Sequence, residues 1–296
     1  MTAVSIGFKT SPQAVDWATL DALWAAAGEF DVFDAGWLND HLTDPGQERG
    51  GASLEAISLA AALAHRVPGK RLGHGVLSNT FRHPAILAKA AAVIDQQTGG
   101  RFILGLGAGW HEGEHEAFGL TLAPIGERID RLTSAVTVLR ALFSADAQRP
   151  EGVSLDDPFY PLHGATNLPG PRRPGGPPIW LGGQKRRGIA LAARAADGWI
   201  APGNRAGDVA YFLDRHEALL RAFEEAGRDT AGFEFAAQVS AQGDANARRE
   251  AIRTSLEMTR AGATHVILAL PTADGPEAVR TVAREVAAPL QDQLAR

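Results

Sequence analysis

Residues 81–119 read FRHPAILAKAAAVIDQQTGGRFILGLGAGWHEGEHEAFG. A proline in the first turn opens an alanine-rich segment of helical period, Pro84–Thr98, and the apolar run Phe102–Gly107 follows two glycines. A helix followed directly by a short apolar strand is typical of repeated βα units. The stretch therefore predicts a buried parallel sheet covered by helices.

The same alternation extends along the whole chain. Eight apolar runs predict strands at Val4–Lys9, Phe30–Trp37, Arg71–Leu77, Phe102–Gly107, Pro178–Gly182, Gly198–Ala201, Phe233–Val239 and Thr264–Leu270. Eight segments of helical period follow them at Ala14–Ala27, Leu54–Ala64, Pro84–Thr98, Ile125–Leu142, Gly188–Ala195, Asp208–Ala226, Ala245–Ala261 and Pro276–Leu294. Eight consecutive pairs favour a closed (β/α)₈ TIM barrel over an open doubly wound sheet, with residues 1–296 as a single domain.

One segment interrupts this rhythm, at about residues 144–177. It is rich in proline and glycine and contains only fragments of strand pattern. We interpret it as a long insertion between strands four and five that folds over or beside the barrel, and long loops of this kind are usually functional or disordered.

Composition restricts the class of partner. The net charge of −5 creates no basic field for nucleic acid or an anionic membrane, so a small-molecule substrate is expected. The chain has no cysteine, which excludes disulfides, thiolate nucleophiles and thiolate metal sites. Neither a signal peptide nor an apolar stretch of membrane-spanning length is recognisable, and we expect a cytoplasmic protein.

Active sites of TIM barrels lie at the carboxyl ends of the strands, so the residues that follow each strand are the first candidates for the site. Asp40 and His41 follow strand two, where a histidine can relay a proton or stabilise charge, although an exposed loop pair is the plainer reading. Gly75 interrupts strand three, which indicates a bulge or a close ligand approach, or simply a packing glycine. Arg82, just beyond, could meet a ligand or begin a helix.

The glycines after strand four, Gly105, Gly107 and Gly109, do not have the spacing of the dinucleotide fingerprint, but they let backbone N–H groups approach a ligand. Residues 111–115 match the zinc-protease pattern His-Glu-x-x-His. Gly113 in its middle makes the required helix doubtful, so we expect no metal site there.

After strand five, Gly182 and Gly183 open a helix whose first turn carries Lys185, Arg186 and Arg187. Cations at a helix amino terminus oppose the helix dipole. A bound phosphate would relieve this repulsion, whereas a solvated basic patch is the alternative interpretation.

Three stretches resemble a known family: WLNDHL at 37–42, the opening stretch at 81–119, and PPIWLGGQKRRGIALAARAADGW at 177–199. Together with GERIDRL at 126–132, they are similar to the luciferase-like monooxygenase superfamily, particularly its deazaflavin-dependent oxidoreductase branch. The resemblance extends over about residues 1–205 and implies a barrel with a flavin-like ring in its mouth. The ring would be coenzyme F420 in one branch or FMN in the other.

The resemblance also implies roles for individual residues. His41 is the leading catalytic residue, and its neighbour Asp40 would orient it. A non-prolyl cis peptide between Gly75 and Val76 would support the ring. The backbone of Gly107, Ala108 and Gly109, and that of Gly182, Gly183, Gln184 and Lys185, would hold the cofactor phosphate, with Arg186 beside it.

One departure concerns Trp110, which stands where sugar-phosphate dehydrogenases of this kind have a catalytic glutamate, and it argues against their reaction. The insertion and the end of strand one, with Lys9, could instead shape the substrate pocket. We therefore expect F420-dependent hydride transfer to or from a small organic substrate. A homodimer is the oligomer considered for the protein. The alternatives are an FMN-dependent monooxygenase and a catalytically silent flavin-binding barrel.

Overall fold

The computed structural model describes residues 4–47 and 51–295. Eight parallel strands form its main sheet: β1 Ser5–Thr10, β2 Ala35–Leu38, β3 Arg71–His74, β4 Phe102–Gly107, β5 Ile179–Leu181, β6 Gly198–Ile200, β7 Glu234–Ser240 and β8 His265–Ala269. β1 pairs with β8 from Ser5 opposite His265 onward, and β3 pairs with β4 at Leu72 opposite Phe102. Each strand thus has two neighbours, and the predicted TIM barrel is confirmed.

The helices lie outside the barrel: α1 Trp17–Gly28, α2 Ala56–Leu63, α3 Pro84–Gln97, α4 Glu112–Ala117, α5 Ile125–Phe143, α6 Arg186–Ala195, α7 Val209–Glu225, α8 Ala245–Arg260, α9 Pro276–Val282 and α10 Ala288–Leu294. A π-helical turn at Ala283–Ala287 joins α9 to α10, so the predicted last helix is interrupted. Among the described residues, no helix has the length and apolarity to cross a membrane.

Tryptophan side chains fill the barrel interior. Trp37 of β2 and Trp180 of β5 are buried, and their ring centroids lie 5.1 Å apart. Glycines on neighbouring strands make the necessary room, since a Cβ atom built on Gly73 would lie 2.6 Å from Trp37. The barrel is therefore packed solid at mid-height, and a ligand has room only at its ends.

β3 is interrupted as the glycine in its sequence suggested. After His74 it leaves the sheet, and Leu77–Ser78 pairs again with β4. The Gly75–Val76 peptide bond between these two parts is cis, as predicted. Gly105 of β4 accommodates the irregular segment, because a Cβ atom there would lie 1.8 Å from the carbonyl oxygen of His74.

β2 is shorter than predicted. The apolar run from Phe30 belongs to a turn, in which the Phe33 N–H donates to the Phe30 carbonyl at 3.3 Å. The buried Lys70 ammonium donates to the same carbonyl at 2.8 Å. This tertiary hydrogen bond occupies a backbone group that a strand would have paired with its neighbour.

The insertion lies beside the barrel. It contains an antiparallel hairpin of Val153–Leu155 and Leu162–Ala165, and it then runs along α3. Lys89 donates to the Leu168 carbonyl at 2.7 Å, and Gln96 donates to the Gly170 carbonyl at 2.6 Å. This last part of the insertion therefore runs toward the amino ends of the strands, where it enters β5.

Candidate active site

Loops after β2, β3 and β4 bring polar side chains together at the mouth of the barrel. The parallel strands end at this one face, so residues distant in sequence become neighbours. Asp40 and His41 come from the first loop, Ser78–Arg82 from the second, and Trp110 from the third.

The Asp40 carboxylate forms the base of this group. It is 6% exposed and accepts two hydrogen bonds from Arg82, at 2.6 and 2.8 Å, and a third from the Ser78 N–H at 2.8 Å. Arg82 also pairs with Glu55. Burial opposes the positive charge of Arg82, but hydrogen bonds and the charges of Asp40 and Glu55 raise its pKa above its ordinary value. The guanidinium thus ties the two loops and α2 together.

His41 is oriented by Glu114 of α4. The Glu114 side chain is 1% exposed, and its Oε2 lies 3.0 Å from Nδ1 of His41. Its Oε1 accepts the N–H groups of Leu42 and Thr43 at 2.7 and 3.1 Å. Because a carboxylate only accepts, we assign the proton to Nδ1, which leaves Nε2 for a ligand.

This arrangement differs from the expectation that Asp40 orients His41. Both carboxylate oxygens of Asp40 are bound to Arg82, and the contact to the imidazole comes from Glu114. Sequence reasoning considered Glu114 only as part of the zinc-like run, and it gave Arg82 no definite role. The available signal was a carboxylate in the segment that follows β4, two strands along the barrel from β2.

The zinc-like run does form a helix, contrary to the doubt raised by Gly113, but its histidines serve other contacts. His111 caps α4, and its Nδ1 accepts the Glu114 N–H at 3.1 Å. His115 is held at both ring nitrogens, by the His111 carbonyl at 2.7 Å and by Thr80 at 2.7 Å. Over residues 4–47 and 51–295, no cluster of three or more potential metal ligands is present.

Trp110 forms an apolar wall at the mouth. Its side chain is 66% exposed, and its ring stands nearly perpendicular to that of His41 with the centroids 5.8 Å apart. The position at which a glutamate was expected in related enzymes therefore presents an indole to the space beside His41.

Val76 and the glycines around it line the opposite side of the mouth. Cβ atoms built on Gly107 and Gly182 would lie 2.7 and 3.2 Å from Val76 Cγ2, so both glycines make room for this side chain. Gly75 is half-buried and a Cβ atom there would meet nothing closer than 3.8 Å. Gly75 and Val76 are thus both partly exposed at the mouth.

Further along this rim, the half-buried Ala108 leads to Gly109, which has a φ of +76°. A Cβ atom on Gly109 would lie 2.6 Å from Thr80 Oγ1, so glycine satisfies both the backbone angle and the close approach. Its carbonyl accepts a hydrogen bond from Arg128.

The predicted phosphate site surrounds the start of α6. Gly183 packs against Gly188 of the helix, with a built Cβ 2.6 Å from its Cα. The Gln184 side chain accepts from the Tyr211 hydroxyl at 2.8 Å and donates to the Gly182 carbonyl at 2.5 Å. Lys185 stands at the N-cap position of α6 without a capping hydrogen bond from its side chain, and the side chains of Lys185 and Arg186 are exposed.

Lys9 contributes a buried amine to the floor of the mouth. It is 9% exposed, and its Nζ donates to Gln238 at 2.7 Å, while Gln238 donates to the Ala201 carbonyl at 2.6 Å. Burial lowers the pKa of Lys9 to about 8. Sequence reasoning named this residue only as one that could shape the pocket.

Comparisons with known proteins establish the family. The family described as luciferase-like monooxygenase matches residues 11–293, and the chain belongs to this family. It is 30% identical over 226 residues to a protein named F420-dependent glucose-6-phosphate dehydrogenase from Kineococcus radiotolerans, covering 76% of this chain and 64% of that relative. It is 35% identical over 181 residues to a phthiodiolone/phenolphthiodiolone dimycocerosates ketoreductase from Mycobacterium bovis, covering 60% of this chain and 45% of the relative.

The alignments thus span less than two thirds of the length of either relative. Among solved structures, an F420-dependent secondary alcohol dehydrogenase in complex with an F420–acetone adduct superimposes with a TM-score of 0.78 at 19% identity. That superposition covers 98% of this chain and 99% of the other, and it supports the barrel fold.

Proposed function

We propose that this chain is an oxidoreductase that uses coenzyme F420 to transfer a hydride to or from a small organic substrate. The observation that carries the proposal is His41 at the barrel mouth, held by the buried Glu114 so that Nε2 remains available. The name of one relative, an F420-dependent dehydrogenase, supports the choice of cofactor, and the name of another, a ketoreductase, supports reduction or oxidation of a small organic group. The likeness to the alcohol dehydrogenase complex is consistent with the same chemistry.

The residues at the mouth fit a planar ring with an anionic tail. Gly75 is half-buried above Trp37 and Ile200 and presents no side chain to the mouth, and the exposed Lys185 and Arg186 stand at a helix start where an anion is stabilised. Neither of these two cations has an acidic partner within the described part of the chain. The deazaflavin, when bound, would supply the carbon that accepts or donates the hydride.

The protein's own groups perform the remaining tasks. When the substrate is an alcohol, Nε2 of His41 accepts the proton of its hydroxyl. When the substrate is a carbonyl compound, the imidazolium donates a proton from Nε2 to the carbonyl oxygen, and Glu114 holds Nδ1–H in both cases. The Trp110 indole borders one side of the space beside His41. It cannot act as an acid or base in the position of the missing glutamate, which argues against a sugar phosphate as the substrate.

Titration of the purified protein with F420 and, separately, with FMN tests this assignment by the fluorescence of each ring. We expect retention of F420. Retention of FMN with substrate-dependent oxygen consumption would establish the monooxygenase instead, and ring binding without turnover by any donor would indicate a silent binding barrel.

Two variants test the individual residues. His41→Asn should lower turnover by about 10²-fold while the affinity for F420 changes much less, because it removes a proton-transfer group. Lys185→Ala/Arg186→Ala should weaken F420 binding and reduce its salt dependence. The control is Arg221→Ala/Arg260→Ala, which removes two exposed cations from α7 and α8. Equal turnover in the first variant, or an unchanged affinity and salt slope in the second, would contradict these roles.

We also propose a homodimer that uses α3. Ile86 and Val93 lie two turns apart on one face of this helix and are 69% and 50% exposed. Sedimentation should give the mass of a dimer for the wild type and of a monomer for Ile86→Asp/Val93→Asp. A monomeric wild type would exclude this assembly. The cytoplasmic location stays a prediction.

A further inference from the structure

A second cavity lies at the opposite end of the barrel from His41. It has a volume of about 410 Å³ and is bounded by the amino ends of the strands, with Arg71 of β3, Ile103 of β4 and Glu234 of β7 in its wall. The last residues of the insertion, including Arg173, close one side. A volume of this size is in the range of small-molecule sites.

Arginine dominates the charge of this cavity. Arg71, Arg101, Arg140 and Arg173 line it, together with the acids Asp197 and Glu234. Each acid already has a partner, since Arg71 pairs with Glu234 at 2.6 Å and Arg140 pairs with Asp197 at 2.6 Å. The lining therefore has two guanidinium charges that no acid of the lining compensates, although the net charge of the whole chain is −5.

Arg101 and Arg173 carry this excess. Arg101 is half-buried and donates through Nε to the Lys70 carbonyl at 3.3 Å, which leaves its two terminal nitrogens without a protein acceptor in the described ranges. The Arg173 guanidinium has no hydrogen-bond or ion-pair partner in those ranges either. The nearby Asp95 is buried outside the lining, and it accepts the backbone N–H of Arg173 at 2.8 Å. It therefore anchors the segment but does not occupy the cavity.

The floor of the cavity is apolar, and its rim is open. The base of the cavity is formed by the side chains or backbone of three buried residues, Phe102, Ile103 and Trp180. At the rim, a Cβ atom built on Gly175 or Gly232 would meet nothing within 4 Å. A ligand can thus enter past these glycines and place an anionic group at the arginines.

We propose that this cavity binds a small organic polyanion, in which a phosphate or a pair of carboxylates is held by the planar guanidinium groups of Arg101 and Arg173. Arginine forms charge-assisted, bidentate hydrogen bonds with both kinds of anion, and the side chains of Arg101 and Arg173 line the same cavity without an ion-pair partner among the described residues. Phosphate monoesters and polycarboxylates share this chemistry.

Isothermal titration at constant ionic strength tests the proposal, with adenosine monophosphate and citrate as separate probes. We expect at least one probe to bind to the wild type, and Arg101→Ala/Arg173→Ala to weaken it by about tenfold or more, as the loss of charge-assisted hydrogen bonds predicts. The probe that binds identifies the source of the anion.

The matched control is Arg221→Ala/Arg260→Ala, which removes two exposed cations from α7 and α8, outside both proposed sites. It should bind the probe like the wild type. Binding that is lost in this control and kept in the Arg101/Arg173 variant would refute the cavity as the site, as would the failure of both probes to bind to the wild type.

Thermal unfolding without ligand checks that both variants fold. If the double variant does not, Arg173→Ala alone removes an exposed side chain and should still weaken binding measurably. The titration uses neither F420 nor turnover, so its result is independent of the proposed enzymatic function.

Discussion

The buried amine of Lys9 should make the free energy of unfolding depend on pH in the alkaline range. Burial lowers its pKa from 10.5 to about 8 in the folded protein, whereas in the unfolded chain it returns to its ordinary value. Between these two pH values the unfolded state therefore binds more protons than the folded state. The free energy of unfolding must rise with pH across this interval.

The size of the effect follows from the two pKa values. Each pH unit of difference corresponds to about 1.4 kcal/mol, so the shift from 10.5 to about 8 contributes an increase of about 3 kcal/mol in total. Below the folded pKa the contribution is a constant penalty for burying the cation. Above the unfolded pKa the penalty is gone.

Urea unfolding of the wild type and of Lys9→Met at several pH values across this interval measures the effect. Subtracting the two curves removes the contributions of other titrating groups, and the loss of the hydrogen bond to Gln238 shifts the variant by a constant amount. The exposed Lys89→Met serves as the control and should leave the slope unchanged. Across the interval, the free energy of unfolding should rise more for the wild type than for Lys9→Met. If the two rises differ by less than about 1 kcal/mol, the amine keeps its ordinary protonation in the folded protein.

Two further predictions concern the site and the strand beside it. Gly105→Ala should lower the free energy of unfolding by at least about 3 kcal/mol or prevent folding, because its Cβ would overlap the His74 carbonyl. Chemical denaturation measures this change. In the same assay the control Gly126→Ala, within α5, should be neutral or slightly stabilising. Glu114→Gln should lower kcat at least about tenfold with little change in F420 affinity. The control Glu112→Gln, on the exposed side of α4, should leave kcat unchanged. Equal kcat values for Glu114→Gln and the wild type would mean that the carboxylate does not position His41.

Local sequence pattern was sufficient for the barrel and for many of its boundaries. Proline at the start of α3 and of α9, and short apolar runs between helical segments, identified the elements because the helix and strand periods are properties of neighbouring residues. The errors fell where tertiary contacts overrode this pattern. Phe30 is apolar, yet its carbonyl is occupied by Lys70 and it lies in a turn rather than in β2.

The sequence by itself also determined which face of the barrel carries the mouth, since polar and glycine residues follow β2, β3, β4 and β5. Only the tertiary structure decided the pairs within it. His41 and Glu114 are 73 residues apart, Asp40 and Arg82 are 42 apart, and Lys9 and Gln238 are 229 apart. Hydrogen bonds and burial depend on distances in space that periodicity does not encode, and several carboxylates could have reached the same histidine. The choice of Glu114 over Asp40 was made by the way in which α4 and Arg82 pack around the two loops.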